Sequence, residues 1–121
     1  MKKKKILVVD DEVNQGLLYE QELTDEGYDV DVVNSGREAV EMVGKVAYDL
    51  IVLDIGMPAM DGLETLGKML GMDNRLPVIL NTAYPSYKDN FMSWAADAYV
   101  VKSHDLTELK EKIRESLDRQ R

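Results

Sequence analysis

Ile6-Leu7-Val8-Val9-Asp10-Asp11 is an apolar run that stops at two carboxylates. Apolar at every position rather than at alternate ones, it reads as a strand buried on both faces, as strands of a parallel sheet are. The pattern recurs. Leu50 to Leu53 runs into Asp54, Val78 to Leu80 into Asn81 and Thr82, and Ala98 to Val101 into Lys102. In open α/β sheets ligands bind outside the carboxyl ends of the strands. Three carboxylates, a hydroxyl and an ammonium are therefore expected to meet in one pocket.

The stretches between these runs carry helical periodicity. A first helix is expected from Val13 to Glu26, with Leu18, Tyr19 and Leu23 inward and Gly27 as its left-handed stop. Ser35 and Glu38 form a capping box that opens a second helix, whose buried side carries Ala39, Val40 and Val43. A third begins near Gly62 with Leu63, Leu66 and Leu70 at helical spacing, and a fourth spans about Ser86 to Trp94. Asp105 with Glu108 reads as a second capping box, ahead of the stripe Leu106, Leu109, Ile113 and Leu117 on a fifth helix. With strands at Lys5 to Val9, Val30 to Val33, Leu50 to Leu53, Pro77 to Asn81 and Ala98 to Val101, five strands alternate with five helices. Right-handed βαβ crossovers then give a doubly wound parallel sheet, in the expected order 2-1-3-4-5.

Composition narrows the function. At 121 residues, one domain over residues 1–121 is expected, with no output domain attached. No apolar run approaches the roughly 20 residues of a membrane span, and the four lysines after Met1 lead into too short an apolar run for a signal peptide. The expectation is a cytoplasmic protein with no membrane insertion. A net charge of −8 disfavours direct nucleic-acid binding. The absence of cysteine removes disulfides, thiolate catalysis and Cys-ligated metals.

Asp10, Asp11 and Asp54 come together if strands one and three are neighbours. Two carboxylates about 4 Å apart repel by roughly 4 kcal/mol at an effective dielectric of 20, so three need a cation or a raised pKa. Oxygen-only ligands suit a hard ion, and Mg²⁺ in particular. An aspartate can attack phosphorus to form an acyl phosphate when a metal and a cation neutralise the developing charge. Asp54, alone at its strand end and followed by Gly56, suits that role, whereas the adjacent Asp10 and Asp11 suit sharing a metal. Lys102 would pair with a phosphoryl group or, in its absence, with a carboxylate, and Thr82 would donate its hydroxyl to the same group.

Together, Asp10-Asp11, the segment Asp54-Ile55-Gly56-Met57-Pro58-Ala59-Met60-Asp61-Gly62, the strand Pro77-Val78-Ile79-Leu80-Asn81-Thr82-Ala83 and Tyr99-Val100-Val101-Lys102 resemble the receiver domain of two-component response regulators, over essentially the whole chain. The resemblance implies a flavodoxin-like fold and Mg²⁺-dependent phosphorylation of Asp54 by a histidine kinase or phosphotransfer protein. It also implies slow self-dephosphorylation, with no further enzyme activity. Asp11, Asp54 and the backbone carbonyl of Gly56 would be direct metal ligands, with Asp10 helping directly or through water. Thr82 and Tyr99 would be the switch pair, altering a surface made by the fourth helix, fifth strand and fifth helix, where a downstream protein would bind.

The chain departs from the pattern in places. Lys102-Ser103 stands where most receivers have Lys-Pro, leaving open whether that bond is cis, and Trp94-Ala95-Ala96 replaces the usual glycine after the fourth helix. The bulky Tyr84 follows the small Ala83 and would slow an attacking water. His104 reads as an exposed loop residue. A Mg²⁺ phosphatase would need a second acid/base aspartate soon after Asp54, and positions 55–60 offer none. A flavin site would need a Ser/Thr/Gly phosphate loop where Asp10-Asp11-Glu12 stands. The remaining alternative is a phosphorylation-independent adaptor, a pseudo-receiver.

Overall fold

The computed structural model describes residues 2–54, 61–83 and 96–119, the side chains of residues 61–63 excepted. Strands β1 (Lys5–Val9), β2 (Asp29–Val33), β3 (Leu50–Leu53), β4 (Val78–Thr82) and β5 (Ala98–Val101) form one sheet, in the order β2-β1-β3-β4-β5. Every pairing is parallel. Helices α1 (Val13–Asp25), α2 (Gly36–Lys45), α3 (Asp61–Met72) and α4 (Thr107–Asp118) are the four among the described residues. The helix expected at Ser86 to Trp94 lies outside them, and α4 is the fifth helix of the sequence pattern.

The central strands are apolar from Ile6 to Val9, Leu50 to Leu53 and Val78 to Leu80 because each side of the sheet is covered. Leu7, Val9, Ile51, Leu53, Val78 and Leu80 belong to one core with α2 and α3. Their strand neighbours Ile6, Val8, Leu50, Val52 and Ile79 belong to a second core with α1 and α4. That is the two-residue alternation of strand side chains. The stripe Leu109, Ile113 and Leu117 is buried, with Leu106 packed beside it.

Helix ends follow the local chemistry, with one difference. Gly27 has φ +98°; its N–H bonds the Thr24 carbonyl at 3.0 Å and Tyr28 N–H bonds that of Leu23 at 3.2 Å, a Schellman stop. Ser35 caps α2, its hydroxyl accepting from Glu38 N–H at 3.2 Å and donating to the Glu38 carboxylate at 3.1 Å. Asp105 caps α4 through Thr107 instead of Glu108, accepting from the Thr107 N–H at 2.9 Å and from its hydroxyl at 2.6 Å. The helix begins at Thr107, two residues after Asp105, so its first-residue amide is the one within reach of a short aspartate.

Leu18 corrects the reading of α1: it is 42% exposed, whereas Tyr19 and Leu23 are buried. The inward face runs through Gly16, Tyr19 and Leu23. Gly16 is there because α1 lies against β2 so closely that an added Cβ would stand 2.8 Å from Val32 Cγ1.

Candidate functional site

The parallel register brings the acidic residues level. Val9 pairs with Val33 and with Leu53, and Leu53 with Leu80, so Asp10 and Asp54 leave the sheet level with Asn81 of β4. The ladder continues one step past the strands: Asp10 N–H bonds the Val33 carbonyl at 3.1 Å, Asp54 N–H the Val9 carbonyl at 3.0 Å, and Lys102 N–H the Thr82 carbonyl at 2.7 Å. These backbone bonds fix the Cα positions from which the side chains converge.

Lys102 Nζ lies 2.8 Å from Asp10 Oδ2 and 3.0 Å from Asp54 Oδ2. Asp10 and Asp54 are buried and Asp11 is exposed. Carboxylate oxygens of Asp10, Asp11 and Asp54 all lie within 4.8 Å of one another. Asp10 uses its other oxygen to accept the Glu12 N–H at 3.0 Å, so it both caps the turn into α1 and faces the ammonium. Burial raises the Asp10 carboxyl above the usual aspartate value, against the opposing hydrogen bond from Lys102. Burial alone would lower Lys102, but hydrogen bonds to Asp10 and Asp54 outweigh it and hold the amine above its ordinary value. The site is thus a fixed cation shared by two buried carboxylates, with a third at the rim.

That donor set fits a hard divalent ion. Oxygens around Mg²⁺ sit at about 2.1 Å, which puts neighbouring ligands about 3–4 Å apart, close to the size of this cluster. Three carboxylates with one ammonium also leave negative charge for an incoming cation to neutralise. Asp10, Asp11 and Asp54 are the residues that would hold it. Gly56, expected to add its carbonyl, lies outside the described residues.

Thr82 is the buried last residue of β4. Tyr99 pairs with Leu80 and packs in the same core, and Thr82, two residues on, shares that face. The two residues expected to switch therefore lie on one side of the sheet. No cis peptide bond occurs among the described residues, so Lys102-Ser103 is trans. His104 is exposed, beside Leu18 and Lys110. Tyr84 and Trp94 lie outside the described residues.

Two contacts are not foreseen by the sequence pattern. The Asn81 side chain hydrogen-bonds the hydroxyl of Tyr19, and both are buried. Burial, set against that bond, raises the Tyr19 hydroxyl above its usual value. Asn34 donates from Nδ2 to the Asp10 carbonyl at 3.0 Å. The signal for the first pair was a polar residue inside an apolar strand, whereas Asn34 sits where turn residues are ordinary.

The family profile of the response regulator receiver domain matches residues 6–114. The chain belongs to that family. Among curated relatives, the transcriptional regulatory protein PcoR of Escherichia coli is 35% identical over 119 residues, covering 97% of this chain and 53% of PcoR. The chain thus spans about half the length of the curated relatives it matches. The response regulator TrrA of Thermotoga maritima, solved in complex with Mg²⁺-BeF, superposes with a TM-score of 0.90 at 46% identity, covering 93% of this chain and 98% of that one. The histidine kinase ThkA in complex with TrrA gives a TM-score of 0.88 at 46% identity, covering 94% and 98%. The acidic cluster accordingly lies in a receiver domain of the two-component signalling systems.

Proposed function

We propose that this receiver domain is a phosphoacceptor: an Asp54 carboxylate oxygen attacks the phosphorus of a phosphohistidine on a histidine kinase or phosphotransfer protein. The new P–O bond makes an acyl phosphate as the P–N bond breaks, and the leaving imidazole keeps the electron pair and takes up a proton. Magnesium, when bound to Asp10, Asp11, Asp54 and the Gly56 carbonyl, supplies positive charge beside the phosphoryl oxygens. Lys102 supplies the rest, turning from the carboxylates to the transferred group. The single observation carrying this reading is the Lys102 ammonium bonded at once to Asp10 and Asp54, at 2.8 and 3.0 Å.

A phosphoryl group on Asp54 brings nearly two negative charges and new acceptor oxygens. A state that offers Thr82 and Lys102 as donors is favoured over one that does not. Drawing Thr82 inward leaves room on its own face of the sheet for the Tyr99 ring. The surface that would read this change is made by β5, α4 and the segment expected to be the fourth helix. The kinase as partner is supported by the TrrA complex and by Val13, Leu17 and Leu18, exposed on the helix that follows the acidic pair.

The test is intact mass after incubation with acetyl phosphate and Mg²⁺. An adduct of about 80 Da that needs the metal and disappears in Asp54→Ala is expected. A chain that folds, binds Mg²⁺ and takes up no phosphoryl group would instead be a phosphorylation-independent adaptor.

A further inference from the structure

Asp10 is held at four points. Its N–H bonds the Val33 carbonyl, its Oδ1 accepts from Glu12, its Oδ2 from Lys102, and its carbonyl accepts from Asn34 Nδ2 at 3.0 Å. A carbonyl can only accept, so the amide NH₂ of Asn34 is the group that faces it. Of the four, this bond alone acts on the peptide between Asp10 and Asp11. The plane of that peptide sets the direction in which the next side chain leaves the chain. Asp11 is exposed, so packing contributes little to its aim.

Asn34 is itself restrained. It directly follows β2, its neighbour Ser35 caps α2, and its amide lies against α1 at Gly16, where an added Cβ would be 3.8 Å from Nδ2. Three elements therefore fix the donor that fixes the acidic turn.

We propose that Asn34 is a positioning residue for the metal-ligand pair: by clamping the Asp10 carbonyl, it orients the peptide that aims Asp11 into the cavity shared with Asp54. The inference rests on the Mg²⁺ site proposed above. Partners that orient metal ligands typically matter about 10- to 100-fold in affinity, and an exposed ligand on a turn belongs at the lower end.

The experiment is calorimetric Mg²⁺ titration of the full chain, with wild type, Asn34→Leu, Asp11→Asn and the double variant compared at one pH. Asn34→Leu keeps the volume and removes the donor; Asn34→Ala serves as a second variant should the leucine form fail to fold by circular dichroism. Expected are a weakening of about tenfold for Asn34→Leu and a clearly smaller effect of Asp11→Asn in that background than in wild type, because Asp11 is already misaimed. A merely structural role for Asn34 would lower the melting temperature and leave the Asp11→Asn effect undiminished; that result overturns the inference. So does a folded Asn34 variant that binds Mg²⁺ as wild type does. Wild-type protein that takes up no Mg²⁺, or binds it equally well as Asp11→Asn, overturns the site reading and this inference with it.

Discussion

Replacing Asp10 by asparagine should stabilise the metal-free protein while weakening its hold on magnesium. At an effective dielectric of 20, the Lys102 ammonium 2.8 Å away attracts the carboxylate by about 6 kcal/mol. Asp54, with an oxygen within 4.8 Å, repels it by about 3.5 kcal/mol or more on the same scale. The difference, about 2.5 kcal/mol at most, is smaller than the several kcal/mol that desolvating a carboxylate costs. The raised pKa of Asp10 has that sign. Asparagine keeps Oδ1 for the Glu12 N–H but turns its Nδ2 donor toward the Lys102 ammonium, which must shift onto Asp54 alone; with that cost set against the relieved burial, a gain of about 1 kcal/mol is expected, roughly 3–5 °C in melting temperature for a chain this size.

The assay is urea unfolding followed by circular dichroism, in EDTA and again in saturating Mg²⁺. In EDTA the variant should be the more stable; Mg²⁺ should stabilise wild type and leave the variant nearly unmoved. The pH dependence has a definite sign. The folded state binds the Asp10 proton more tightly than the unfolded chain, so the penalty is absent below the ordinary value of 3.8 and grows as pH rises through the raised one. The advantage of Asp10→Asn should therefore shrink to nothing in acid. If Asp10→Asn proves less stable than wild type by more than about 1 kcal/mol in EDTA at neutral pH, pairing outweighs burial and the reasoning is wrong.

Two other substitutions probe neighbouring features. Lys102→Met removes the ammonium that both buried carboxylates share and should cost about 3 kcal/mol in EDTA, part of it restored by Mg²⁺, as read by the same unfolding curves. Gly16→Ala, which inside a helix would ordinarily stabilise by about 0.5–1 kcal/mol, should instead destabilise by about 1–3 kcal/mol in thermal unfolding, because the new methyl would sit 2.8 Å from Val32 Cγ1.

Much of the site was readable because it lies at strand ends. Asp10, Asp54 and Lys102 each interrupt an apolar run, and once the strand order is known, the register leaves them nowhere else to go. Asp11 was readable as the neighbour of one of them. Leu18 was misplaced because helical periodicity gives a direction around the axis but not the lateral extent of the sheet beneath. It lies beside His104 and Leu106 of the loop before α4 and stays 42% exposed, whereas Tyr19 and Leu23 are buried in the core with Ile6 and Val8. The α4 cap was assigned to Glu108 because the capping-box spacing fits equally well, and only the helix start at Thr107 selects the nearer amide.

The sequence by itself determined that this is a parallel α/β sheet with its chemistry at the carboxyl edge, since unbroken apolar runs ending in charge are tolerated only where both faces are covered and the end is open. The tertiary structure decided which polar groups touch. Tyr19 with Asn81 and Asn34 with the Asp10 carbonyl join residues far apart in the chain, and a side chain's partner across an interface depends on how closely two elements pack, here set by the absent Cβ of Gly16. Periodicity carries no record of that separation, and a hydrogen bond is lost within about half an ångström of it.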